Sequence, residues 1–413
     1  MLLKLLYFAV VSSAAEASAP GDHDDGFSRL VAWMKLHGGR VDQRIDVAEI
    51  NGVRGVNALD NIEDGAELLY CPWKLVIGST GLPDHMQMQS DDMCKVVQDM
   101  ADEIRLNSDS LWWPYLEHIQ NPRLTAMWEQ SALDELQGLS PSEDSTRHIQ
   151  WFSQICAGGG NNDSNGDLDQ EVMRSLVSFV SRASEVGMVP IYDLLNHHNG
   201  KKNAKLTLTE AGVHLLVVGG PIQQGQEIYL SYGIKTAPTM YRDYAFVEEW
   251  PCFWNWKDSA SGDNFAFVLF PDDVAAINPT KDFLKQIWSS SVPMRMRLAT
   301  FQSSAKRHME SLPLEELEQF AQAARNHLDG FPTTIQQDQA ILGGKREYLA
   351  RALALIPGGT SSTKVGVLGT SHLEDAISAI EYRSTFKVAL LNALNSSKAV
   401  AQAIRETLSS QEL

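Results

Sequence analysis

The chain has 413 residues, 44% hydrophobic and 21% charged, an ordinary soluble globular composition with length for two domains or three. A formal net charge of −18 argues against a nucleic-acid partner, because binding phosphates takes a concentrated basic surface. Cys71, Cys94, Cys156 and Cys252 stand far apart with no CxxC pair, so neither a zinc cluster nor a dense disulfide framework is expected, and all four are read as buried free thiols.

The N-terminus stands apart from the rest. Lys4, the apolar run Leu5–Val11 and the small residues Ala14–Ala19 have the pattern of a cleavable secretory signal over residues 1–19. The apolar run is too short for a membrane span, and no other segment approaches that length. Such a segment can also open a plastid-targeting presequence, so secretory-pathway entry and plastid targeting both stay open, with an uncleaved helix as the alternative.

Phe27, Leu30, Val31, Met34 and Leu36 recur at near-helical spacing, closed by Gly38-Gly39. A strand-rich block follows from Val47 to Ile77, broken by Gly52, Gly55 and Asp64-Gly65. From about Met86 to Glu171 the chain reads as helical, with Met93, Val96, Val97, Met100 and Ile104 on one face. Trp112, Trp113 and Tyr115 are read as core anchors, since aromatic side chains dominate packing. Gly158–Gly166 is a loop without the Lys-Ser or Lys-Thr that a phosphate-binding loop needs. Leu176–Glu185 continues as a helix that delivers Ser181 and Arg182 to the centre of the chain.

That centre is Val189–Asn199, VPIYDLLNHHN, a strand-like apolar stretch (Val189, Ile191, Leu194, Leu195) running into Asn196-His197-His198-Asn199. Apolar side chains followed by a cluster of amide and imidazole groups suit a ligand cavity, and equally suit a strand that enters a polar turn. Adjacent His197 and His198 project differently and no further ligand cluster is in view, so no metal site is expected. Leu206 and Leu208, then Val213, Leu215 and Val217, alternate on either side of Glu210-Ala211-Gly212 as a hairpin. Gln224-Gly225 turns into Glu227–Gly233, EIYLSYG, and Asp258–Asp263 reads as a linker. The remainder is mostly helical: Leu314, Leu317, Phe320, Ala324 and Leu328 keep a helical period, and Ile377, Ile380, Val388, Leu391 and Leu394 come close to one.

DLLNHH, followed by IYLSYG and then by Tyr244-Ala245-Phe246, resembles the C-terminal half of a SET-domain protein methyltransferase, closest in pattern to the Rubisco large-subunit lysine methyltransferase-like group. NGVRGVNALDNIEDGAELLYCPWKLVI resembles the opening of that domain, and FPTTIQQDQAIL (Phe331–Leu342) and IEYRSTFKVAL (Ile380–Leu390) resemble the group's helical substrate-binding domain. The resemblance implies an α+β chain: a SET β-fold of short strands over 27–250 with a helical insertion at about 86–175, then an all-α domain over 265–413. It implies S-adenosyl-L-methionine as cofactor and a protein substrate carrying a target lysine, the chain acting as a monomer.

The same resemblance carries roles onto single residues. Val53, Arg54 and Gly55 would let the backbone approach the methionine part of the cofactor, with Val53 where the family's Gly-x-Gly has its first glycine. Asn196 and His197 would hold the cofactor's amino-acid and adenine ends, and Phe246 would cover the adenine. Arg182 would line the cofactor and lysine sites. Tyr232, the expected catalytic residue, would orient the incoming nitrogen, and Tyr244 would complete the lysine channel. Asp193 matches a family carboxylate near the substrate lysine, or else caps the Asn-His turn. Ala245 adds a methyl group where relatives have glycine. Protein-histidine methylation and a catalytically silent SET-like binding module are the alternatives.

Overall fold

Phe27, Leu30 and Met34 recur along α1 (Asp25–Leu36) and are buried there; Gly38, at φ +86°, closes the element in a conformation that favours glycine. The computed structural model describes residues 25–50, 53–78, 90–139, 145–156, 168–258, 261–288, 298–354 and 371–411. The signal-like segment, Gly52 and the run Gly158–Gly166 lie outside the described residues. Two compact units are interleaved along the chain, the first drawn from 1–121 and 151–232, the second from 122–150, 233–290 and 294–413.

In the first unit the chain passes through β1 (Arg40–Val41), the antiparallel hairpin of β2 (Ile45–Ile50) and β3 (Val53–Ala58), and β4 (Glu67–Pro72). It continues through α2 (Ser90–Leu106), the short turn Trp113–Leu116 and α3 (Gln170–Arg182), whose N-terminus is capped by the Asp169 carboxylate. β5 (Asn196–His197), β6 (Ala204–Leu208), β7 (Gly212–Val217) and β8 (Tyr229–Leu230) complete it. β1, β4, β7 and β6 lie side by side in one antiparallel sheet. β6 and β7 are the expected hairpin: Val213, Leu215 and Val217 face the core, while His214 turns outward and its Nδ1 sits 2.7 Å from Glu67 Oε2. α2 buries Val96, Val97, Met100 and Ile104, the face expected from their spacing, and packs against α3.

Two expectations change here. Cys71 and Cys252 are buried free thiols, but Cys94 of α2 and Cys156 are joined in a disulfide that closes a loop of 62 residues. Spacing along a chain says nothing about which distant cysteines a fold brings together. The apolar run from Val189 is no strand either. Ile191 takes φ +70°, and a 3-10 turn, Tyr192–Leu194, precedes β5. A continuous apolar run fits a buried turn as well as it fits a buried strand, so hydrophobicity alone does not separate them.

The second unit takes in the short helical turn Gln130–Asp134 and then α4 (Ala237–Tyr244). β9 (Cys252–Lys257), β10 (Asn264–Leu269) and β11 (Ala275–Ile277) form a three-stranded antiparallel sheet. The stretch read as a linker falls between β9 and β10, which pair antiparallel across it, and Asp258 N donates to Asp263 O at 2.8 Å. Helices follow: α5 (Lys281–Trp288), α6 (Leu298–Ser311), α7 (Leu314–Asp329), α8 (Ile335–Ala354) and α9 (Ser371–Gln411). Leu317, Phe320 and Ala324 of α7 share a core with Phe386, Leu390 and Leu394 of α9. The chain is thus α+β with a helical C-terminal region.

Candidate active site

β5 and β8 pair in parallel, with Asn196 opposite Tyr229 and His197 opposite Leu230, so the two central motifs of the sequence meet in the first unit. The Asn196 side chain then reaches across to β3. Its Nδ2 donates to Arg54 O at 3.0 Å and to Glu227 Oε1 at 2.8 Å, and Tyr229 donates its hydroxyl to Glu227 Oε2 at 2.6 Å. Gly55 lies inside β3 beneath this pair, not in a turn with positive φ, and the need for glycine comes from the protein itself. A Cβ there would fall 2.5 Å from Glu227 Oε1 and 2.8 Å from Asn196 Nδ2. Both donors of the Asn196 amide are thus in use, while its Oδ1 accepts no bond among the described residues. Val53 is 55% exposed on the outer end of β3.

His197 is buried, and its ring serves the protein. Tyr232 N donates to His197 Nδ1 at 2.8 Å, and Asn199 Nδ2 lies 3.3 Å from Nε2. The Tyr232 ring tilts over that imidazole at 4.9 Å between centroids, and its hydroxyl donates to Leu195 O at 2.7 Å. His197 therefore fixes the backbone from which the phenol projects, and the residue before Asn196 supplies the phenol's acceptor.

Beside this lies a buried ionic cluster. Asp193 has a wholly buried side chain: Tyr115 donates its hydroxyl to Oδ2 at 3.1 Å, while Oδ1 has no hydrogen-bond partner. Arg182, the last residue of α3, donates through Nη1 to Asp193 O at 2.9 Å and through Nη2 to Gln120 O, and its buried Nε has no partner. Arg54 Nη1 donates to His118 O at 3.1 Å. Burial pushes the Asp193 carboxyl above the ordinary carboxylate range, outweighing the pull of Arg182 and Arg54 and the bond from Tyr115. A carboxyl raised on folding binds more protons in the folded chain, so its ionisation removes stability as pH climbs from the ordinary carboxylate value through the raised one. Asp193→Asn should therefore have a higher urea midpoint than the parent at pH 8, an advantage that disappears near pH 4. A lower midpoint at pH 8 would show that the charge, once buried, is net stabilising.

Tyr244 and Phe246 belong to the second unit, where their ring centroids stand 6.1 Å apart and Lys235 Nζ lies 5.6 Å over the Tyr244 ring. Ala245 between them caps α4 in the left-handed conformation, φ +63°, with its N–H donated to Tyr241 O at 2.9 Å. That is the helix-ending position where glycine is usual, which explains why a methyl group there is out of pattern. Ala245→Gly should stabilise the chain by about 0.5–1 kcal/mol, because relief of the left-handed cost exceeds the added freedom of the unfolded glycine. Thermal unfolding measures it.

Reading the sequence for a site misses Glu227 and Tyr115. Glu227 opens the EIYLSYG motif and binds both Asn196 and Tyr229; its position at the head of an apolar run was the available signal. Tyr115 is the core anchor expected, yet its hydroxyl serves Asp193. Among the described residues no three His, Cys, Asp or Glu are placed to hold a metal, and no helix is long and apolar enough to cross a membrane.

No family model matches the chain, and no curated protein matches it. Solved structures do. One described as the SET domain of LSMT bound to lysine and AdoHcy matches with TM-score 0.53 and 16% identity, covering 94% of this chain and 93% of its own. Rubisco LSMT bound to AdoMet matches at 0.52 and 17%, covering 91% and 92%. Rubisco LSMT bound to sinefungin and monomethyllysine matches at 0.53 and 17%, covering 92% and 93%. A likeness that spans nearly the whole length of both chains gives the architecture: this chain has the SET-domain fold of the LSMT structures.

Proposed function

We propose that the chain is an S-adenosylmethionine-dependent protein-lysine N-methyltransferase acting on a non-histone protein. The observation that carries this reading is the parallel pairing of β5 with β8, which sets the Tyr232 phenol against the Leu195 carbonyl immediately before Asn196. The fold supports it, since structures of that fold are described with AdoMet, AdoHcy, lysine and methyllysine bound.

The residues present suit such a cofactor. Asn196 Oδ1 is an acceptor without a bond among the described residues, fitted to the ammonium of the cofactor's amino-acid end. The backbone of Val53, Arg54 and Gly55 runs beside that amide, and Arg54 O already accepts from it. Bound there, S-adenosylmethionine supplies an electrophilic methyl group on a sulfonium. The chain's part is to present a neutral amine in line with it, and alignment gives most of the acceleration in a reaction of this kind. Tyr232 orients the nitrogen through its hydroxyl. Tyr232 packs against an apolar core, and a site walled that way disfavours the ammonium form of an incoming amine.

Calorimetry with S-adenosylmethionine should show saturable binding to the full chain. Incubation with labelled cofactor and a host extract should put the label on lysine, as read by mass spectrometry. Absence of binding would overturn the reading, and label on histidine would move the chain to the other acceptor.

A further inference from the structure

The four cysteines fall into two classes. Cys71 and Cys252 are 0% and 4% exposed, and burial pushes both thiols upward, that of Cys71 to about 12. A thiol so placed supplies almost no thiolate for exchange. Cys94 and Cys156 are half-buried, within reach of an oxidant, and they are the pair that is bonded, with Cα atoms 5.2 Å apart. The reachable thiols are paired and the unpaired ones are shielded, as oxidative folding requires if mispairing is to be avoided.

The bond also has structural work to do. Cys156 ends the turn Phe152–Cys156, which packs on α2 and fully buries only one side chain, Phe152. Gln154 and Ile155 are exposed, so little apolar burial holds this turn and the covalent tie to α2 takes that part. α2 in turn packs on α3, the helix that ends in Arg182. Cytosolic thiols are kept reduced, whereas disulfides persist in oxidising compartments. The N-terminal pattern of Lys4, Leu5–Val11 and Ala14–Ala19 points the same way from sequence alone.

We propose that the chain matures in an oxidising compartment, where the Cys94–Cys156 bond forms, and that the proteins whose lysines it methylates share that compartment. Two thiols lose two protons and two electrons, taken up by the disulfide of a thiol–disulfide oxidoreductase, which leaves as a dithiol. The clause on the acceptor rests on the methyltransferase reading; the disulfide does not.

The test uses the full chain with its own N-terminus, expressed in a eukaryotic host, acid-quenched and alkylated under denaturing conditions before peptide mass spectrometry. The expected map is a linked Cys94–Cys156 peptide, with Cys71 and Cys252 singly alkylated. The Cys94→Ser/Cys156→Ser variant should melt about 10 °C below the oxidised parent, and dithiothreitol should bring the parent down to meet it. Four alkylated cysteines, with one melting temperature with and without reductant, overturn the disulfide. For the acceptor, labelled S-adenosylmethionine is offered with a microsomal-lumen extract or a cytosolic one. Label in the lumenal extract supports the assignment, and label confined to cytosolic proteins overturns it. No label in either removes the methyltransferase reading and the acceptor clause together, while the thiol map still decides the disulfide.

Discussion

Replacing Tyr232 with phenylalanine should slow methyl transfer about 100-fold while leaving the fold and cofactor affinity near those of the parent. The hydroxyl donates to Leu195 O at 2.7 Å, and loss of that bond should cost about 1 kcal/mol of stability. The features that place the ring remain: the Tyr232 N–H still donates to His197 Nδ1, and the ring still lies against that imidazole. The group removed is therefore the one proposed to orient the nitrogen at the moment of reaction, and an interaction realised only then shows in kcat rather than in binding. Single-turnover transfer from labelled cofactor gives the rate, and calorimetry gives the affinity. A variant that transfers at the parent rate removes the role assigned to the phenol. A variant that loses cofactor binding instead makes the hydroxyl part of the cofactor site.

Much of this arrangement was legible in the chain because it is periodic or local. The buried face of α2 followed from Val96, Val97, Met100 and Ile104, and the β6–β7 hairpin from strict alternation about Glu210–Gly212. Asn196, His197 and Tyr232 were singled out by resemblance to the SET-domain motifs and not by spacing, because an apolar run ending in polar residues equally fits a strand that enters a turn. What was not legible is long-range and polar. Periodicity says which face of an element is covered but not by what, so the Tyr115–Asp193 bond, the Glu227–Asn196 bond and the Cys94–Cys156 disulfide had no signal in spacing. Gly55 was singled out for a turn, yet it is glycine because Glu227 and Asn196 crowd it from another part of the chain. Ile191 shows the limit from the other side. A β-branched residue at φ +70° is a strained choice that no propensity favours, and it persists because the turn it makes leads directly to Asp193, Leu195 and Asn196.

In the second unit the largest loss should follow Asp338→Ala, about 3–5 kcal/mol by urea unfolding at neutral pH. The side chains of Asp338, Arg383 and Lys387 are 0%, 0% and 2% exposed. Lys387 Nζ donates to Asp338 Oδ2 at 2.7 Å and to Thr333 O at 2.8 Å, and it lies 4.4 Å over the Phe331 ring. Arg383 Nε donates to Asp338 Oδ1 at 3.0 Å, and its Nη1 to Glu135 Oε2 at 2.6 Å. Removing Asp338 leaves two buried cations facing one carboxylate, and that uncompensated charge, more than any lost attraction, sets the cost. Asp338→Ala/Lys387→Met restores the balance by leaving Arg383 with Glu135, so it should recover a large part of the loss; a double variant as unstable as the single one would reject this account. Burial pushes the Asp338 carboxyl upward, but bonds from Lys387, Thr333 and Arg383 outweigh it and hold the group below the ordinary carboxylate range. Its contribution is then complete above the ordinary carboxylate value and lost as pH falls through the lower folded one, so parent and single variant should converge only in strong acid. Thr333 and Asp338 come from the Phe331–Leu342 stretch, and Arg383 and Lys387 from Ile380–Leu390, the two segments that resembled a substrate-binding domain. Those four residues meet inside the unit, so this part of the two segments holds helices together.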